Sequence, residues 1–284
     1  MKIINRSKII LILLMAISPH AFCVVMIDSP LGTKLVFSEK QSGKHSEPYS
    51  WEKLTFKGYG ETIDLSINER YFTEDGASKV SPSGRYIVIN SVSGGYLYSE
   101  KDERKYVDRA YCSVVDMRNG CYVSDWDGEA CGFNWKKNQD VLENSIGTES
   151  FDFLSLRPTI KNIKDNPSSL KVNTVRNFLR CDAPDRDNIN IYQRIMQENK
   201  PSKLITSQYI LRFLSDINLE KTIKIKSYLF SSPENQHLTK AYLVPGDKVK
   251  VIQFSPDSKW VNIGYIGEKG NPLIVWVMAD SLGN

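Results

Sequence analysis

The chain has little of what usually announces chemistry. Its 284 residues hold three histidines and five cysteines. His20 falls in an N-terminal leader, so the body keeps only His45 and His237. Both sit in stretches rich in Ser, Glu, Gln and Asn that read as solvated loops. A histidine-activated nucleophile needs its base held by a third group, and a lone histidine in such a loop is usually just solvated. No Gly-x-Ser-x-Gly elbow, His-Glu-x-x-His helix, Gly-Lys-Ser/Thr phosphate loop or Gly-x-Gly-x-x-Gly fingerprint occurs. No close Cys-x-x-Cys pair occurs either, which argues against a tetrahedral zinc site. The expectation is therefore no catalytic residue, no cofactor and no metal. A hydrolase site of unrecognised type stays open as a second alternative.

A dominant charge is also missing. There are 37 basic and 33 acidic residues, interleaved throughout. A nucleic-acid binder should carry a basic patch or stripe in clear excess, so no nucleic-acid partner is expected. Long apolar runs are absent except for Ile9–Ile17. That run follows Lys2, Arg6 and Lys8, precedes Ala21-Phe22-Cys23, and is too short to span a bilayer. A charged start, a short apolar core and small residues at a cleavage point read as a secretory signal over residues 1–23. Cleavage near Cys23 predicts a periplasmic or secreted protein that does not span the membrane. A lipoprotein anchored at Cys23 ranks second, because Phe22 and His20 are wrong for that processing. Without residues 1–23 the chain keeps 34 basic residues against 33 acids, a net charge of +1.

Cleavage leaves Cys112, Cys121, Cys131 and Cys181. An even number in an oxidising compartment favours disulfides. Three pairings are possible, and the crowding of the first three predicts at least one bridge that staples that region.

Three regions follow one another. Residues 24–156 carry strand and turn signals. Val80–Asn90 is a turn followed by a β-branched run that Ser93-Gly94-Gly95 should break. Ala110–Met117, Cys121–Trp126 and Ala130–Trp135 predict a three-stranded meander around Asn119-Gly120, a strong hairpin signal. Residues 157–220 form a connector. It has a short helix at Ile189–Gln197 and an amphipathic helix at Ser202–Ile217, whose stripe would be Ile205, Tyr209, Phe213 and Ile217. Residues 221–284 hold short strands with a Pro245-Gly246-Asp247 turn, as a small β-barrel would. The fold class expected is mainly β with a helical connector, a disulfide-stapled antiparallel sheet followed by a small barrel.

Two resemblances sharpen this. Tyr242-Leu243-x-x-Gly246-Asp247-x-Val249, then Trp260-Val261-x-Ile263-x-Tyr265, then Trp276-Val277 and Leu282 resemble the bacterial Src-homology-3-like domain over about residues 222–284. Val275 stands where that pattern often has Gly. The order Ser81-Pro82-Ser83-Gly84-Arg85-Tyr86, then Val114–Gly120, then a Trp-ended strand resembles a single β-propeller blade. The first resemblance implies a barrel with an aromatic groove for extended peptides, with Tyr242, Tyr265 and Trp276 as candidates.

Asp125-Trp126-Asp127-Gly128-Glu129 is the densest acidic cluster. It reads more readily as a charged turn than as a calcium loop, because it lacks a distal Glu. Trp126 within it is a further recognition candidate, since Trp buries a large area with few rotors. The function expected is non-enzymatic binding of another envelope protein, as an immunity or inhibitor protein that occludes a toxin or enzyme. The alternative partner is peptidoglycan, through a wall-targeting module.

Overall fold

Alternation with a period of two builds both ends of this chain. The computed structural model describes residues 24–41, 50–73, 79–98, 104–127, 132–163, 166–234 and 238–283. The signal segment 1–23, His45, His237, Cys131 and Gly128–Glu129 lie outside the described residues.

Nine strands form the first sheet. They are β1 (Val25–Asp28), β2 (Lys34–Gln41), β3 (Ser50–Gly58), β4 (Glu61–Asp64), β5 (Tyr71–Thr73), β6 (Lys79–Val80), β7 (Tyr86–Tyr98), β8 (Arg104–Asp116) and β9 (Cys121–Asp127). The order is β1-β2-β3-β5-β7-β8-β9, with β4 on β3 and β6 on β7, whereas a propeller blade has four strands. The expected break at Ser93-Gly94-Gly95 does not occur. β7 runs on to Tyr98 because it pairs with β8 along its whole length, Tyr86 opposite Asp116 to Tyr98 opposite Arg104. That ladder outweighs the weak strand preference of two glycines.

Along β7, Ile87 and Ile89 face one way, into a core with Phe37, Trp51, Phe56 and Phe72. Tyr86 and Val88 face the other way, with Val114 and Val123. A three-stranded sheet covers this second face: β10 (Asn134–Trp135), β11 (Leu142–Glu143) and β12 (Ser150–Phe151). Of the expected third meander strand, Ala130–Trp135, the first two residues lie outside the described residues and the last two join another sheet. Asn134 and Trp135 pair with β11, and β9 is an edge of the first sheet.

Three helices follow: α1 (Val172–Cys181), α2 (Ile189–Glu198) and α3 (Lys203–Ser215). α1 is additional to the two helices expected. In α3 the buried face is Thr206, Ile210 and Leu214. Of the predicted stripe, Ile205, Tyr209 and Phe213 lie one residue round the helix and are only partly buried, whereas Ile217, past the end of α3, is buried in the helical core. Ser202 stands at the N-cap, but its hydroxyl makes no cap bond there.

Six antiparallel strands end the chain: β13 (Glu220–Thr222), β14 (Ser227–Phe230), β15 (Leu238–Leu243), β16 (Lys248–Phe254), β17 (Trp260–Ile266) and β18 (Pro272–Met278). Their order, β13-β16-β17-β18-β14-β15, is open, with no pairing of β13 to β15 among the described residues. Ile223 after β13 and Leu243 of β15 nevertheless bury in one cluster with Val251, Val261 and Val277, so the sheet folds over on itself. Its other face carries the helices. Ile252 and Ile274 join the helical core, and the Gln193 side chain accepts the Ile274 N–H at 3.3 Å. Gly264 makes room for α3, since a Cβ there would sit 2.2 Å from Leu214 Cδ2.

Candidate functional site

The β8–β9 turn is held by a buried carboxylate. Asp116 is fully buried. Its oxygens meet Arg118 at 3.0 Å, Arg157 at 3.2 Å and Arg85 at 3.3 Å. Burial alone pushes the carboxyl pKa up. Hydrogen bonds from the Arg118 side chain and backbone, its charge, and a bond from Arg157 outweigh that and hold it below the usual value. The hydrogen bond to Asp116, together with its charge, in turn raises the Arg118 pKa against the effect of burial.

Beyond this turn β9 is an edge strand, and its outward backbone groups need partners. α1 supplies them. The Asn177 side chain accepts the Tyr122 N–H at 2.9 Å and donates to the Tyr122 carbonyl at 3.1 Å, as a neighbouring strand would. Asn119 donates to the Arg180 carbonyl at 2.6 Å, and Arg180 Nε donates to the Gly120 carbonyl at 3.0 Å. The Cys121–Cys181 disulfide locks the same contact, closing a loop between residues 60 apart. So this bridge joins sheet to helix and does not staple the meander itself. Cys112 is also disulfide-bonded, to a cysteine outside the described residues.

This docking places Arg180 at the meeting point of three cavities, of about 350, 550 and 900 Å³, and it lines all three. Together they make a groove along β4 and the segment after it, facing α1 and α3. Asp64 and Arg176 are shared by the two larger cavities; Glu61, Tyr209 and Arg212 by the two smaller ones. The cations thus run Arg176, Arg180, Arg212 as the strand runs back from Asp64 to Glu61. Arg212 is 3.9 Å from Glu61. Arg176 and Arg180 have no carboxylate partner among the described residues. Burial depresses the Arg180 pKa, Tyr209 and Tyr122 oppose that, and nearby Arg176 adds to it. A desolvated guanidinium without a counter-ion is a costly arrangement, and it fits an anionic group supplied from outside.

No protein-family model matches this chain, and no curated protein or solved structure does. The site therefore rests on its own geometry.

The structure scatters the residues singled out from sequence. Trp126 is half-buried against Phe151, ring centroids 4.4 Å apart, and its Nε1 is buried without a partner among the described residues. Its neighbour Asp125 is engaged by Arg70 at 2.7 Å and by the Ser113 hydroxyl at 2.8 Å. Trp276 is buried with Phe230 and Trp260. Tyr265 packs on the core of the C-terminal sheet. Tyr242 is exposed, 6.3 Å from Tyr228, with Lys226 Nζ 4.1 Å from its ring centre. Sequence reasoning did not select Arg176 and Arg180. Like charges at i and i+4 on a helix repel, but α1 is not among the helices expected, so that spacing gave no signal.

Proposed function

We propose that the protein is an exported, non-enzymatic binding protein of the bacterial envelope, an immunity or inhibitor protein that occludes a toxin or enzyme. The observation that carries this is the groove beside β4, open to solvent and lined by two arginines without carboxylate partners among the described residues. Such a surface favours an acidic partner through electrostatic complementarity, which speeds encounter and rejects basic competitors. The disulfide that anchors Arg180 supports it further, since a rigid site loses less conformational entropy on association. Expression with the leader intact should deliver a processed chain to the periplasm. Affinity capture from that compartment should bring down an acidic partner. Arg176→Gln with Arg180→Gln should abolish capture, whereas His45→Ala and His237→Ala should not. Turnover of a wall fragment, lipid or peptide that a single carboxylate change abolishes without unfolding would sink the binding-only reading.

A second reading rests on the exposed pair Tyr228 and Tyr242 under Lys226. It takes the C-terminal sheet as a Src-homology-3-like barrel that targets peptidoglycan peptides. Retention on purified peptidoglycan, lost with Tyr242→Ala, would favour it over the first.

A further inference from the structure

We infer that the groove takes an extended segment of its partner, which adds a strand to β4 and carries acidic side chains two residues apart; this rests on the binding reading above. The backbone of β4 comes first. Strands β3 and β4 are joined by the two-residue turn Tyr59-Gly60, both at positive φ, +52° and +80°. Across such a turn the flanking residues Gly58 and Glu61 form the closely hydrogen-bonded pair, and every second pair after it does the same. The Leu65 N–H donating to the Leu54 carbonyl at 2.8 Å continues this parity. Glu61 and Ile63 therefore spend their backbone groups on β3. Thr62 and Asp64 turn theirs outward, and among the described residues no strand pairs with that edge. The 550 Å³ cavity lies against it, lined by Glu61–Asp64 on one side and by Arg176, Arg180 and Arg212 on the other. Elsewhere proteins cover or blunt an open edge, as Asn177 does for β9. Here the edge faces a cavity and cations.

The spacing of the cations sets the pattern of the occupant. Arg176 and Arg180 are one helical turn apart, about 6 Å along the axis. Alternate side chains of a strand repeat at about 6.6 Å on one face. An acid-x-acid segment beside β4 sends its two carboxylates to these two guanidiniums, while its intervening backbone pairs with Thr62 and Asp64. Strand addition gives affinity from main-chain bonds and specificity from alternate side chains.

A displayed library of random octapeptides, selected on the purified full chain, tests this. Enriched sequences should carry Asp or Glu at i and i+2. Their synthetic copies should lose about tenfold or more in affinity with Arg176→Gln or Arg180→Gln, since bonds to charged groups are the stronger ones. They should lose as much with Thr62→Pro, which removes an outward N–H and leaves the β3 ladder intact. Unchanged melting and amide spectra establish that each variant is folded. Should Thr62→Pro fail to fold, N-methylation of the peptides at alternate amides asks the same of the wild-type chain and should abolish binding. The inference is overturned if nothing is enriched over an unrelated protein, if enriched peptides lack the acidic pair, or if they tolerate Thr62→Pro or N-methylation. A native partner that is lost with Arg180→Gln yet retained with Thr62→Pro would remove strand addition and leave the binding reading standing. A partner indifferent to both would remove both.

Discussion

Asp116 is the residue on which the β8–β9 turn depends. A fully buried carboxylate is tolerable only because Arg85, Arg118 and Arg157 converge on it. Removing its charge leaves three guanidiniums without their counter-ion. Asp116→Asn should cost about 3 kcal/mol or more, measurable by urea unfolding. The pH dependence follows from the direction of the shift. A carboxyl held below its unfolded pKa of about 3.9 stabilises the fold fully above that value, and the contribution fades as pH falls through the folded pKa. Acid unfolding of the wild type should therefore steepen below about pH 4. The Asn variant, weaker at neutral pH, should lose that part of the slope; an identical acid limb in both would remove Asp116 as its source.

At the scale of elements, α1 matters most. It is a ten-residue helix, and helices so short are marginal alone in water. Val175 and Leu179 hold it in the core with the other helices, and the Asn177 bridge and the Cys121–Cys181 bond dock it on β9. A bridge that closes a loop of 60 residues should contribute about 4 kcal/mol by restricting the unfolded chain. Cys121→Ala with Cys181→Ala should lower the unfolding free energy by about 2–4 kcal/mol. Because Arg180 adjoins Cys181, the amides of Arg176–Arg180 should also exchange faster with solvent. Unchanged exchange would mean that the Asn177 and Arg180 bonds hold α1 without the disulfide.

At the scale of the whole molecule, the helices and the C-terminal sheet share a core. Segment 221–284 holds six strands, yet one face of its sheet is finished by α2 and α3. Ile252 and Ile274 lie in the helical core, and Gly264 is fitted to Leu214. Residues 221–284 alone would expose that apolar face to water. A fragment of 166–284 carrying Cys181→Ala should show dispersed amide shifts and one cooperative transition. The 221–284 fragment should unfold at lower urea or aggregate. Equal midpoints would show that the helices add nothing to the sheet.

What the amino-acid sequence determines by itself is local. The alternation of Tyr86–Ile89, the Asn119-Gly120 and Pro245-Gly246 turns, α2 and most of α3 were legible because each depends on neighbours within a few residues. The mainly β class followed in the same way, and the even count of Cys112, Cys121, Cys131 and Cys181 predicted bridging but left the pairing open. Contacts between distant segments decided the rest. Pairing with β8 carried β7 through two glycines, and pairing with β11 took Trp135 out of the meander. Packing against Gly264 turned Leu214 of α3 inward in place of Phe213. The candidate site belongs to this second kind. Arg176 and Arg180 are ordinary surface-type residues in the sequence; they become candidates because α1 docks on β9 and thereby faces an edge of β4 that no strand pairs with among the described residues, an edge whose position relative to the helix no local pattern encodes.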